Sequence, residues 1–81
     1  MKRILFSEPA RADLRRLDRD TAMRILAALD RFASTGQGDI KRLKGETEEL
    51  RLRVGDYRVR FAEESDTLYV NRVLHRKEAY R

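Results

Sequence analysis

The sequence contains no cysteine, and no run of apolar residues in it approaches the roughly 18 that a membrane-spanning helix needs. Without cysteine, the chain has neither a disulfide framework nor a thiolate zinc site. The apolar stretch within residues 1–6 is too short for a secretory signal peptide. We therefore expect a cytoplasmic protein that does not contact a membrane.

The chain also lacks internal repeats, linkers and low-complexity segments, so residues 1–81 are expected to form a single domain. Charged and hydrophobic residues each make up 41% of the sequence, which leaves enough apolar side chains for a core and too many for a disordered chain. The formal net charge is +5, and small chains this basic commonly contact a polyanion. The alternative is a soluble domain whose basic charge has no function.

The first half of the sequence has helical periodicity. Residues 4–6 form a short apolar run typical of a strand, and Ser7 or Glu8 then caps a helix with Pro9 in its first turn. Asp18 or Asp20 caps a second helix, because a short carboxylate accepts the free backbone N–H groups there. The expected apolar faces are Ala10, Leu14 and Leu17 in the first helix, and Ala22, Ile25, Leu26, Leu29, Phe32 and Ala33 in the second, which Gly36 and Gly38 end. This pattern predicts an αα-hairpin.

After a polar connection over residues 39–49, the period changes from 3.6 to 2. Apolar residues alternate with arginine on both sides of Gly55 and Asp56, a two-residue signal for a tight hairpin turn. A further turn over residues 63–66 leads to a strand over residues 67–74, with Leu68, Val70 and Leu74 expected on one face and Tyr69, Asn71 and Val73 on the other. Residues 75–81 form a short polar tail of about one helical turn. The fold class is therefore α+β: an N-terminal strand, an αα-hairpin and a three-stranded antiparallel meander, with the helices packed on one face.

The hairpin turn predicts a concentration of arginine on one face of the sheet. If Gly55 and Asp56 are the only turn residues, Arg53 lies opposite Arg58 and Arg51 lies opposite Arg60. Opposed like charges destabilise a sheet, and we expect no acid from these two strands on that face. Either the arginines simply solvate an exposed sheet, or phosphate groups supply the countercharge, to which the planar guanidinium is well suited.

The C-terminal residues add an imidazole, two more cations and an aromatic ring. His75, Arg76, Lys77 and Tyr80 follow the last strand and so are expected beside the hairpin, near the four arginines. Each residue alone is a weak signal. A lone histidine more often fills space at the surface or in the core than takes part in catalysis, and a tyrosine near a chain end more often anchors the tail. Together they are typical of a site that binds phosphate and stacks on a base.

Three segments give the chain a resemblance to the RelE/ParE toxin superfamily: residues 42–45 (RLKG), residues 50–59 (LRLRVGDYRV) and residues 73–80 (VLHRKEAY). The order of strand, two helices and meander is also similar, so the resemblance covers the whole chain. The RelE branch cleaves messenger RNA in the ribosomal A site without metal, by attack of the ribose 2′-OH on the adjacent phosphate. The resemblance therefore implies a toxin, held by a cognate antitoxin protein, whose targets are the ribosome and mRNA and which uses no small-molecule cofactor.

The resemblance also implies roles for individual residues. Arg58 matches the arginine that stabilises the pentavalent phosphate, Arg76 the cation near the leaving oxygen, and Tyr80 the aromatic residue that orients the nucleotide. Positions that carry lysine in RelE are Glu49 and Arg51 here, and arginine is a poor proton acceptor. We expect His75 to act as the base instead, with Lys44 or Glu49 as alternatives. The expected RNA-binding residues are Lys44, Arg51, Arg53, Arg60 and Lys77.

Two other functions fit the same fold. A ParE-type toxin would poison DNA gyrase and would not be a nuclease, although that branch generally lacks the full His-Arg…Tyr ending. A catalytically weak relative would bind RNA in a salt-sensitive way without cutting it.

Overall fold

The computed structural model describes residues 1–42 and 49–79. Their elements, in chain order, are β1 (Arg3–Phe6), α1 (Glu8–Arg15), α2 (Arg19–Thr35), β2 (Ile40–Arg42), β3 (Glu49–Val54), β4 (Tyr57–Glu63), β5 (Thr67–His75) and α3 (Arg76–Ala79). The strands form one sheet in the order β1-β5-β4-β3-β2, with β1 parallel to β5 and the other pairs antiparallel. The α+β class, the αα-hairpin and the meander are confirmed. None of the helices in the described residues is long and apolar enough to cross a membrane.

The helix boundaries follow from capping side chains. Ser7 caps α1, with its Oγ accepting the Ala10 N–H at 3.1 Å. Asp18, rather than Asp20, caps α2, with its Oδ2 accepting the Thr21 N–H at 3.1 Å. Gly36 ends α2 in the left-handed conformation at φ 75°, which glycine adopts without the steric cost of a Cβ atom.

The core lies between α1 and α2 and the apolar face of the sheet. Alternate residues of β3, β4 and β5 meet one face of α2, as the two periodicities predict. The buried hydrophobic residues are Ala10, Ile25, Leu29, Ala33, Leu50, Leu52, Val59, Phe61, Leu68, Val70 and Val73. The opposite face of β3 and β4 is therefore left for the arginines.

The β3–β4 hairpin has the predicted register. Gly55 adopts φ 58° in the turn, and the pairs Val54–Tyr57, Arg53–Arg58, Leu52–Val59, Arg51–Arg60 and Leu50–Phe61 lie opposite each other. Apolar residues thus meet apolar residues on one face, and arginines meet arginines on the other. This register places every arginine of the hairpin on the same side of the sheet.

Two details of the sheet differ from the sequence-based expectations. Residues 40–42 were expected in a connection but form β2, because Ile40 packs against the core and pairs with Leu52. In β5, a register shift pairs Arg60 with Arg72 but Phe61 with Val70, so Asn71 is an extra residue. The shift inverts the alternation after Val70, and Val73 rather than Leu74 enters the core.

Candidate nucleic-acid interface

A row of basic residues crosses four strands on the sheet face away from the helices. Lys41 of β2 lies opposite Arg51 of β3, Arg51 opposite Arg60 of β4, and Arg60 opposite Arg72 of β5. Directly opposed like charges destabilise a sheet unless something compensates them. Arg60 and Arg72 find that compensation in carboxylates of the protein.

Carboxylates neutralise the β5 end of the row. Asp13 of α1 binds Arg72, with Nε 2.8 Å from Oδ2, and Glu49 forms an ion pair with Nε of Arg60. The expectation that no acid from β3 or β4 lies on this face is therefore wrong. Glu49 is the first residue of β3 and lies on the same face as Arg51 and Arg53. Its carboxylate contacts Arg60 on the neighbouring strand. Lys41 and Arg51, at the β2 end of the row, line a cavity.

A cavity of about 160 Å³ opens at that end of the sheet. The described residues that line it are Asp39, Lys41, Arg51, Arg53 and Arg58, four basic side chains and one carboxylate. Arg53 and Lys41 are exposed, whereas the two other arginines are buried. An electropositive concavity of this kind concentrates anions because its walls reduce solvent screening.

Arg51 and Arg58 are held in place before any ligand binds. They are only 8% and 7% exposed, which is unusual for arginine. Nη1 of Arg58 donates to the carbonyl oxygens of Gly55 and Tyr57, both at 2.9 Å, and both arginines have further contacts. The two hydrogen bonds to backbone carbonyls fix the direction of the Arg58 guanidinium.

The hairpin turn also anchors the C-terminal segment. The Arg76 N–H, at the start of α3, donates to the carbonyl oxygen of Asp56 at 2.7 Å. Arg58 binds Gly55 in the same turn, so the chain positions of Arg58 and Arg76 are fixed at one corner of the sheet. The side chains of Arg76 and Lys77 are exposed, as a role in binding a large ligand requires.

His75 does not lie with the arginines. It pairs with Tyr57 across β4 and β5, and the two rings make an edge-to-face contact with centroids 5.4 Å apart. The His75 ring lines a different cavity, of about 230 Å³, beside Asp13 and Arg16 of α1. The expected grouping of the imidazole with the four arginines is therefore not what the structure shows, because the alternation of β5 sends His75 to the side of the sheet that carries Tyr57 and Val73.

Asp13 binds both the side chain of Arg72 and the backbone of Val73 at the edge of the sheet. β1 pairs with β5 only as far as Val70, and beyond that point Oδ2 of Asp13 accepts the Val73 N–H at 2.9 Å. Burial alone would raise the pKa of Asp13, but hydrogen bonds from Arg72, Val73 and Arg16 and the charge of Arg72 together hold it below its ordinary value of 3.8. Asp13 is therefore a structural anion that secures β5.

Lys41 and Asp39 are cavity residues that sequence reasoning missed. Both fall in the segment interpreted as a connection, and a three-residue strand is too short for alternation to be recognised. Of the expected site residues, Lys44 and Tyr80 lie outside the described residues. Among all the residues that the structure describes, no group of three or more His, Asp or Glu side chains is placed to hold a metal ion.

Comparisons with known proteins agree with this architecture. A family model described as ParE toxin of type II toxin-antitoxin system, parDE, matches residues 4–80. Toxin RelE3 of Methanocaldococcus jannaschii is 48% identical over 42 residues, which is 52% of this chain and 48% of that protein. The match thus spans about half the length of that curated relative.

Solved structures show the same fold over nearly the whole chain. A RelB-RelE antitoxin-toxin complex from Methanococcus jannaschii contains a chain with 31% identity and a TM-score of 0.77, covering 94% of each chain. The RelBE2 toxin-antitoxin complex from Mycobacterium tuberculosis gives 28% identity and a TM-score of 0.65, covering 91% of this chain and 96% of that one. The fold and these matches define a small RelE-like α+β protein. The chain belongs to the ParE toxin family of type II toxin–antitoxin systems, within the RelE/ParE superfamily.

Proposed function

We propose that this toxin is a ribosome-dependent endoribonuclease that cleaves mRNA by attack of a ribose 2′-OH on the adjacent phosphate. The observation that carries the proposal is the cavity whose described lining comprises four basic side chains and one carboxylate. Phosphodiester cleavage by this route needs stabilisation of charge that develops on the phosphate, and it needs proton transfers. Positive groups that are already fixed in place stabilise this charge without reorganising during the reaction.

Arg58 is the group proposed to stabilise the pentavalent phosphate. Its guanidinium is buried and oriented by two backbone carbonyls, so little conformational entropy is lost when it binds a phosphate. Arg76, anchored at the same turn, is proposed to act near the leaving oxygen. Exposed Arg53 and Lys77, with Arg51, Arg60 and Lys44, are proposed to hold the flanking backbone, and Tyr80 to orient the nucleotide.

The proton acceptor is proposed to come from the cavity itself. Arg51 cannot serve, because guanidinium stays protonated in proteins. Asp39 and Lys41 line the cavity, and a carboxylate or an amine can exchange a proton in this setting. Asp39→Asn and Lys41→Met should therefore be compared, and the variant of the true base should lose about 10²–10⁴-fold in cleavage rate.

The proposed partners follow from the proposed activity. Because ribosomes and mRNA are cytoplasmic, the toxin is proposed to act in the cytoplasm. A cognate antitoxin would keep it inactive. The relatives support this point, since the structures from Methanococcus jannaschii and Mycobacterium tuberculosis are antitoxin complexes.

Analysis of the cleavage products on a programmed 70S ribosome tests the reaction. The purified protein should cut the message and leave a 2′,3′-cyclic phosphate and a 5′-OH. A message with a single 2′-deoxynucleotide before the scissile phosphate should remain intact, because the nucleophile is missing. Cleavage of the deoxy-substituted message, or ends with a 5′-phosphate, would exclude this mechanism.

A second candidate is inhibition of DNA gyrase, which the matching family model favours because it describes ParE toxins. A supercoiling assay run beside the ribosome assay separates the two functions. Inhibited supercoiling with intact message would establish the gyrase function. Salt-sensitive RNA binding with neither activity would instead identify a catalytically weak RNA-binding relative.

A further inference from the structure

His75 occupies a position that defines where α3 begins. It is the last residue of β5, and Arg76 directly after it is the first residue of α3, so His75 is the N-cap residue. Its Nδ1 accepts the Lys77 N–H at 3.2 Å, in the manner of a Ser or Asp side chain at the same position. The histidine ring thus satisfies one of the free N–H groups at the helix start, and the Asp56 carbonyl satisfies the preceding one, of Arg76.

The stability of α3 depends on these two contacts. The described part of α3 has four residues, and a helical segment of that length is not stable by itself in water because nucleation is costly. Its backbone is tied to the rest of the domain through the Arg76–Asp56 hydrogen bond and, on the other side, through the His75 ring. The Tyr57 ring, in edge-to-face contact and itself packed against the core, fixes the orientation of that imidazole.

The same geometry argues against proton transfer by His75. A neutral imidazole whose Nδ1 accepts a hydrogen bond carries its proton on Nε2, so neither nitrogen offers a free lone pair. Taking up a proton at Nδ1 would break the bond to Lys77. The ring also lines the cavity beside α1 rather than the cavity that contains Arg58.

We propose that His75 is a positioning residue, which caps α3 and thereby holds Arg76 at the 55–56 turn, and that it is not the base of the reaction. The proposal rests on the proposed function in one respect, the role of Arg76 in cleavage. Its structural half, the cap itself, is independent of what the protein acts on.

Three substitutions separate capping from proton transfer. His75→Asn retains a side-chain acceptor suited to an N-cap but cannot act as a base. His75→Phe retains an aromatic ring against Tyr57 without an acceptor, and His75→Ala removes both. Misplacement of a catalytic group by about 1 Å can cost roughly 100-fold, so the Phe and Ala variants should cut message about 10–100-fold more slowly. Asn should restore most of the lost rate.

Amide hydrogen exchange of Lys77 by NMR provides a readout that does not depend on activity. The Lys77 amide should exchange faster in the Ala and Phe variants than in the wild type and the Asn variant. Exchange of the Val59 amide in the core reports whether each variant remains folded. If the wild-type protein does not cut message, the proposed function fails, and the exchange data still decide whether His75 caps α3.

Three outcomes would overturn the proposal. If Asn were as slow as Ala while Lys77 remained protected in the Asn variant, His75 would act by proton transfer. If Lys77 exchanged equally in all variants, or if Ala cut message at the wild-type rate, the cap would have no effect on Arg76.

Discussion

Replacement of Asp13 should destabilise the domain far more than replacement of an ordinary helical acid. The carboxylate is almost fully buried, and it accepts hydrogen bonds from Arg72, Arg16 and the backbone N–H of Val73. Asp13→Ala would leave the Val73 N–H without its partner at an edge that β1 does not cover, which costs about 1–2 kcal/mol.

The two ion pairs contribute less than their geometry suggests. The side chains of Arg72 and Arg16 are 42% and 72% exposed, so water can solvate both guanidiniums when Asp13 is absent. We therefore assign about 1 kcal/mol to Arg72 and a few tenths to Arg16. The total expected for Asp13→Ala is about 3 kcal/mol, a large part of the roughly 4–12 kcal/mol typical of a domain this size. Asp13→Asn keeps an acceptor for Val73 and should cost about half as much.

Urea denaturation at neutral pH measures both effects, with Asp30→Ala as the matched control because Asp30 is an exposed acid of α2. The pKa of Asp13 is lower in the folded state, so its contribution is present above the ordinary value of 3.8 and is lost as the pH falls through the folded value. The difference between wild type and Asp13→Asn should accordingly be constant near pH 7 and shrink below about pH 4. Equal destabilisation by Asp13→Ala and Asp30→Ala, or a difference independent of pH, would refute this reasoning.

Three further predictions concern the turn, a cap and the basic row. Gly55→Ala should cost about 1 kcal/mol in urea denaturation, because φ is 58° while nothing lies within 4 Å of the added Cβ; an unchanged midpoint would contradict the strain argument. Asp18→Ala should lower the unfolding midpoint more than Asp20→Ala, since only Asp18 accepts the Thr21 N–H; the reverse order would assign the cap to Asp20. Glu49→Gln should release Arg60 and steepen the dependence of RNA binding on salt by about one unit, whereas Glu63→Gln, which removes one carboxylate from the end of β4 and releases Lys2 outside the basic row instead, should not.

Local rules predicted the parts of this fold that depend on neighbouring residues. The register of β3 and β4 follows from the two-residue turn at Gly55 and Asp56, and a slip by one residue would place apolar residues opposite arginine. The limits of α2 follow from Asp18 and Gly36, whose side-chain and backbone properties suit those positions. These features required no information on tertiary contacts.

The features that sequence patterns missed depend on distant residues. The extra residue Asn71 is accommodated where Ser7 contacts it, with the Ser7 hydroxyl donating to the Asn71 carbonyl at 2.9 Å, and alternation within β5 carries no sign of that contact. β2 exists because Ile40 finds a place on the core beside Leu52. For the site, the arginine face was predictable, but the separation of His75 from it depends on the register shift in β5.

The cleavage rate of Arg58→Ala on programmed ribosomes tests the central claim most directly, with Arg24→Ala as the control because Arg24 is an exposed arginine of α2. Thermal unfolding would establish that both variants are folded, and Arg58→Lys would keep the charge without the two-pronged guanidinium. We predict that Arg58→Ala slows cleavage at saturating toxin by about 10²–10³-fold, as loss of a charge-stabilising donor does, with Arg58→Lys intermediate and Arg24→Ala unchanged. A folded Arg58→Ala variant that cuts message as fast as Arg24→Ala would contradict the account.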